Sequence, residues 1–236
     1  MGYPMLFLHE VHKVVGTRTD EFEEAFRKGL MPALAKGDDA RLLWYTNHSM
    51  GTGVSYNVVT ITAVKDGAAW ERLALSFQKG NLQGWVRDLD TLRHDALGKL
   101  LLPLHWSPIQ KIDFRAVPTD GREHALSLYM EDTMWPYREQ YLRYIDTSGA
   151  VYSKSLEVTD PFIKIEAGFQ PAFGSHLRRE VMLMQKILKH DQLRHLLTHE
   201  IPIEQRRPGG WMHEALVLRD QWESKLLRTS SWSPLH

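Results

Sequence analysis

Cysteine is absent from these 236 residues. A disulfide framework, a thiolate nucleophile and a Cys-ligated zinc site are therefore all excluded. An excess of charge of either sign is missing too: 29 Lys and Arg stand against 29 Asp and Glu, so no net field recruits nucleic acid or an anionic membrane. No apolar run approaches the roughly 18 residues of a membrane span. The start, Met1-Gly2-Tyr3-Pro4-Met5, has neither the basic region nor the apolar core of a signal peptide. Gly-rich phosphate loops, a Gly-x-Ser-x-Gly elbow and a Walker motif are missing as well. What remains is an ordinary globular mix, 43% apolar and 25% charged. A cytoplasmic protein with a small-molecule ligand, and no nucleic-acid or membrane partner, is the expectation.

The length allows one large domain or two of about 100–150 residues, and an internal repeat favours two. Trp106-Ser107-Pro108-Ile109 recurs as Trp232-Ser233-Pro234-Leu235, 126 residues on. The same offset pairs Trp85 with Trp211, Leu92-Arg93 with Leu218-Arg219, and Lys99-Leu100-Leu101 with Lys225-Leu226-Leu227. Nine of 25 positions are identical, where ordinary usage would give about one or two. Two tandem repeats, residues 1–116 and 117–236, are expected, with the link near 116–123 marked by Pro118, Asp120 and Gly121.

In the first repeat, Met5 to Val11 reads as a strand. A helix follows, with Asp20 as N-cap and Glu23 completing a capping box, Phe22, Phe26, Leu30 and Leu34 as its buried stripe, and Gly37 as its end. Residues 42–46 and 54–64 read as strands flanking the loop Asn47 to Gly53. A helix from Asp66 carries Trp70, Leu73, Ala74 and Phe77 on one face, another carries Trp85, Leu89 and Leu92, and 104–109 is the closing strand. The second repeat follows suit: strand 125–130, a helix from Pro136 with Tyr137, Tyr141 and Tyr144, and strands 150–158 and 162–169. A helix lined by Leu177, Val181, Met184 and Leu188 comes next, then a helix over 211–227 and a strand over 231–235. Each repeat is thus a ferredoxin-like βαββαβ unit, and the fold class is α+β. Such a unit covers one sheet face with helices, yet these strands are apolar on both faces. Two antiparallel sheets pairing face to face into an α/β barrel resolve this, either within the chain or between two copies of it.

The first strand leading into Gly16-Thr17-Arg18-Thr19-Asp20-Glu21-Phe22 resembles the start of a NIPSNAP-type domain of the dimeric α/β-barrel superfamily. So do Gly53-Val54-Ser55-Tyr56-Asn57-Val58-Val59, the Trp85 helix, and Leu101-Leu102-Pro103-Leu104-His105-Trp106-Ser107-Pro108. The resemblance covers most of residues 5–110 and, in the second repeat, the last helix and its Trp-Ser-Pro exit. It implies a ligand pocket between sheet and helices, a homo-oligomer, and a superfamily of cofactor-free monooxygenases, haem-degrading enzymes, isomerases and dehalogenases. At the family's first-strand arginine stands His9.

His9, Glu10 and His12 lie together on the first strand, but alternation turns His9 and His12 to opposite faces, so they do not chelate one metal. His9 is the candidate acid or base, because imidazole titrates near neutral pH; the alternative is a satisfied core histidine. Tyr56 and Glu131 are the other candidate catalytic groups. Phe7, Trp44, Asn57, His48 and Tyr129 are the candidate substrate-binding residues, aromatic and polar types that shape and orient a ligand in an apolar pocket. Asp191, His195 and His199 share a helix face by spacing, but lack the glutamate of a zincin motif and are assigned to a solvated face. No metal and no cofactor is assigned. The expected function is a cofactor-independent enzyme of monooxygenase, isomerase or lyase type, acting on an apolar or aromatic metabolite by acid–base chemistry. The alternatives are a non-catalytic binding or scaffold protein, and a haem or metal protein.

Overall fold

The computed structural model describes residues 5–175 and 178–236, with the side chain of Gln205 outside that description. Residues 1–4 and Leu177, both used in reading the sequence, also lie outside it. Repeat 1 runs β1 (Leu6–Val14), α1 (Thr19–Glu24), a π-helical stretch (Ala25–Leu30), α2 (Met31–Ala35), β2 (Ala40–His48), β3 (Asn57–Val64), α3 (Gly67–Lys79), α4 (Gln83–Asp90) and β4 (Arg93–Pro103). Repeat 2 runs β5 (Leu128–Pro136), α5 (Tyr141–Thr147), a second π-helical stretch (Ser148–Ser153), β6 (Ile163–Pro171), β7 (Val181–Ile187), α6 (His190–Thr198), α7 (Trp211–Leu216) and β8 (Arg219–Thr229). Between Pro103 and Leu128 the chain has neither helix nor strand.

The eight strands close one barrel in the order β1-β3-β2-β8-β5-β7-β6-β4. All neighbours are antiparallel, and closure occurs within the chain. Each repeat contributes its strands in the same order, and two short seams join them. At one, Thr46–His48 of β2 meets Leu227–Thr229 of β8; at the other, Leu101–Pro103 of β4 meets Pro171–Phe169 of β6. Helices lie outside, so the strands beneath them are covered on both faces, which is why β3 is buried along its whole length, whereas β4 and β8 are exposed over much of theirs. On β1, Phe7, His9 and Val11 point to the lumen, and Leu8, Glu10 and His12 point to the helices.

Several sequence assignments need correction. The closing strands are 93–103 and 219–229, so the predicted helix over 211–227 is a six-residue helix plus a strand. Residues 181–187, read as helix, are strand β7, because an apolar run covered on both faces satisfies helical and strand spacing alike. Residues 150–158, read as strand, begin within a π-helical stretch and end in a turn. Asp20 sits inside the first turn of α1, not at its cap, and Glu23 faces Trp232 instead of closing a capping box.

The Trp-Ser-Pro segments are exits that cross over. Trp232 donates from Nε1 to Glu23 Oε1 of repeat 1 at 2.6 Å, and Ser233 Oγ accepts from the Tyr45 amide at 3.1 Å. Symmetrically, Trp106 donates to the Ile145 carbonyl of repeat 2 at 2.8 Å, and Ser107 Oγ accepts from the Gly168 amide at 2.9 Å. Each repeat is therefore finished by the other. Trp232 is 2% exposed and Trp106 is half-buried. Trp232→Ala should lower stability by about 3–5 kcal/mol and Trp106→Ala by clearly less. Urea midpoints of the two variants provide the comparison, and equal losses would count against this asymmetry.

A candidate active site between sheet and helices

The lumen gathers nearly all the side chains singled out from sequence. Phe7, Trp44 and Tyr129 join its apolar core, with Phe7 tilted on Phe169 at 4.8 Å and Trp44 edge-on to Tyr129 at 6.4 Å. Above them His9 donates from Nε2 to Glu131 Oε2 at 2.8 Å, both side chains essentially unexposed. His9 and Glu131 stand 122 residues apart at equivalent places in β1 and β5. They are flanked by another repeat-related pair, Lys99 opposite His9 and Lys225 opposite Glu131. Lys99 pairs with Glu180, and Lys225 lies 3.8 Å from Glu131 and 3.0 Å from Glu223. Burial lowers the His9 pKa, opposed by Glu131. Burial alone would raise Glu131, but His9 and the two lysines outweigh it and hold the carboxylate below its usual range. His48 reaches the same end of the lumen, and its ring nitrogens find no partner among the described residues. Asn57 shares that face at the start of β3. Tyr56 does not join them: it is 59% exposed, at a φ of 61° in the loop before β3, with its ring against Gly16. This half of the barrel is packed and ion-paired.

The open space lies on the other side of the repeat 1 sheet. A cavity of about 240 Å3 separates Leu8, Glu10, His12 and Thr62 from the helices. Its far wall is apolar and aromatic, with Phe26, Leu30, Trp70, Phe77 and Trp85. At the start of the π-helical stretch Ala25–Leu30, the Ala25 carbonyl accepts from Trp85 Nε1 at 2.9 Å. Gly29 permits that approach, since a Cβ there would stand 2.9 Å from the indole nitrogen.

The polar floor is well defined. Arg93 Nη1 lies 2.8 Å from His12 Nδ1, and His12 Nε2 lies 3.1 Å from Thr60 Oγ1. A guanidinium only donates, so Nδ1 accepts and the imidazole proton sits on Nε2, donated to Thr60. Burial, then the Arg93 charge, depresses the His12 pKa to about 3, so the ring is neutral. Phe22 and Phe26 hold it at 5.3 and 5.4 Å. Glu10 makes no hydrogen bond among the described residues, and burial raises its pKa against the pull of Arg93. In repeat 2 the equivalent polar groups are spent on one another: Asp132 accepts from Ser224 at 2.6 Å and from Gln185 at 2.7 Å, and Gln185 accepts from Tyr152 at 2.6 Å.

A larger groove of about 410 Å3 follows the inter-repeat link past Arg115, Arg122 and His124. Two of the charges along it, Asp120 and Glu123, are paired with Arg122 and Arg27, and no unsatisfied buried polar group lines it among the described residues. The smaller cavity has the largely apolar walls and shifted acid–base groups expected of a site. No group of three or more His, Asp or Glu placed to hold a metal occurs among the described residues. Asp191, His195 and His199 lie on or just beyond an exposed helix, with the two histidine rings stacked at 3.9 Å.

No family model and no curated protein matches the chain by sequence. Solved structures do match. A "putative monooxygenase" from Fusobacterium nucleatum superposes with a TM-score of 0.67 at 5% identity, covering 97% of this chain and 94% of that one. Another, from Lactobacillus acidophilus, gives 0.62 at 8% identity and 98% of both chains. The fold is that of the dimeric α/β barrels. In those two cases a single chain spans the whole of this one, so the fused pair of repeats is what is shared. A NIPSNAP family protein from Agrobacterium tumefaciens is also a neighbour, at 18% identity and a TM-score of 0.38, covering 46% of this chain and 94% of its own. The cavity lies on the helix side of one sheet, and no helix among the described residues is long and apolar enough to cross a membrane.

Proposed function

We propose that this protein is an enzyme that binds a compact apolar or aromatic metabolite in the repeat 1 cavity and acts on it by proton transfer from its own side chains, in a monooxygenase-, isomerase- or lyase-type reaction. The observation that carries the reading is Glu10, a carboxyl without a hydrogen-bond partner among the described residues, on the polar floor of an otherwise apolar cavity. A carboxyl whose pKa is raised by burial is better suited to accept and return a proton than an ordinary surface carboxylate. His12 is the fixed element beside it: neutral, with one tautomer dictated by Arg93, it orients the floor and does not itself shuttle a proton. Proton transfer is assigned to Glu10 rather than to His9, because His9 is sealed against Glu131 in the packed lumen and out of reach of a ligand. The Fusobacterium and Lactobacillus neighbours named as monooxygenases agree with an oxidative variant of this chemistry.

A metabolite library screened by thermal shift provides the test. Hits should lose their effect in Ala74→Phe, which fills the cavity from α3. For any hit that turns over, Glu10→Gln should cut kcat by about 100-fold or more. Hits that stabilise Ala74→Phe as well as the parent would move the site elsewhere.

A further inference from the structure

We propose that the repeat 1 cavity is built for a cation: a compact arylalkyl- or alkylammonium compound whose nitrogen lies against Glu10 among aromatic rings. This deepens the reading above and rests on the same cavity. The argument is a charge inventory. Arg93 lines the floor, but all three of its nitrogens are committed, Nε and Nη2 to Asp90 and Nη1 to His12. Arg93 is therefore held by Asp90 and His12 and makes no hydrogen bond to Glu10. His12 adds no charge, because the same contact leaves it neutral. The ionised Glu10 is then the group without a direct partner: it feels Arg93 only through space, and no hydrogen-bond donor of the described residues lies on it. A partly buried carboxylate in that condition carries a desolvation cost, and a ligand bearing one positive charge offsets it. The opposite wall fits the same ligand. Phe26, Trp70, Phe77 and Trp85 line it, and aromatic rings attract an ammonium group within about 6 Å of their faces, tryptophan most strongly. An anionic ligand would meet Glu10 with no free cation to offset it, and a neutral ligand would leave the carboxylate unmatched.

Isothermal titration of the full chain with three probes of one shape decides the matter: 2-phenylethylamine, 2-phenylethanol and phenylacetate. The amine should bind at least about ten-fold more tightly than the alcohol, and phenylacetate should not bind measurably. Glu10→Gln should bring the amine down to the affinity of the alcohol, whereas Glu10→Asp, which keeps the charge, should retain the preference. Alcohol or phenylacetate binding as tightly as the amine, still blocked by Ala74→Phe, would overturn the cation and leave the cavity as the ligand site. Binding of none of the three, or binding that Ala74→Phe does not affect, would overturn both readings.

Discussion

Glu131→Ala should be among the most damaging single substitutions in this chain, lowering stability by about 3–5 kcal/mol and the Tm by roughly 10 °C. It would leave His9 without its acceptor and Lys225 without one of its two carboxylates, in a part of the lumen that water scarcely reaches. The partner substitution His9→Glu should be comparably harmful, since it places two carboxylates at hydrogen-bond distance. The repeat symmetry makes a sharper forecast. Positions 9 and 131 are equivalent, and each has a lysine opposite it on the neighbouring strand, Lys99 and Lys225. The exchanged protein, His9→Glu with Glu131→His, should therefore recover at least half of what either single change loses. Guanidinium unfolding of the four proteins gives the coupling directly. If the double variant is as weak as the sum of the singles, the pair does not act as an exchangeable lock between the repeats.

The second large effect is on acid stability. In the unfolded chain His12 titrates near its ordinary value of 6.5, but in the fold only at about 3. Between those values the unfolded chain holds a proton that the folded one lacks, so stability falls as the pH drops from about 6.5 toward 3. Each pH unit costs about 1.4 kcal/mol for one such group. Glu131 acts in the same sense lower down, because its carboxylate is held below the usual range. His9 and His48 are also depressed and add to the upper part of the window. Glu10 has the opposite sign: its raised pKa contributes stability at low pH that is lost as the pH rises through it. His12→Gln should thus reduce the dependence of stability on pH by about one proton between pH 6 and 4.5, without abolishing it. Urea midpoints across that range measure the slope, and an unchanged slope would mean that the Arg93–His12–Thr60 arrangement does not hold the ring neutral.

Sequence carried the architecture further than the site. The repeated Trp-Ser-Pro exposed the duplication, and the apolar run of β3 demanded cover on both faces, which together called for a barrel. The helix start read at Asp66 is where α3 begins, with Asp66 as its cap accepting from the Ala69 amide at 2.8 Å. The strand at 181–187 was hidden because a strand covered on both faces loses the alternation that identifies it, and those at 93–103 and 219–229 because their first halves are mostly exposed and polar. Every side chain chosen for the site except Tyr56 lies on the lumen face, so the choice selected one side of the sheet consistently. The cavity is on the other side. A signal for it existed in β1, where Glu10 and His12 occupy the face that must meet the Phe22 and Phe26 stripe, an unusual place for two polar groups. What sequence could not supply was Arg93, 81 residues on from His12, which fixes the tautomer and neutralises the floor.

The crossed exits and the β2–β8 seam also set a timetable. A nascent chain emerging at about 5–20 residues per second has β2 in hand on the order of 10–40 s before β8 and Trp232 appear. Throughout that interval repeat 1 has an unpaired β2 edge, an uncovered lumen face and no indole on Glu23. Long-range strand pairing of this kind is slow to form and exposed to aggregation while it waits. The half-barrel on the ribosome is thus the vulnerable species in the life of this protein, and the one a chaperone would meet.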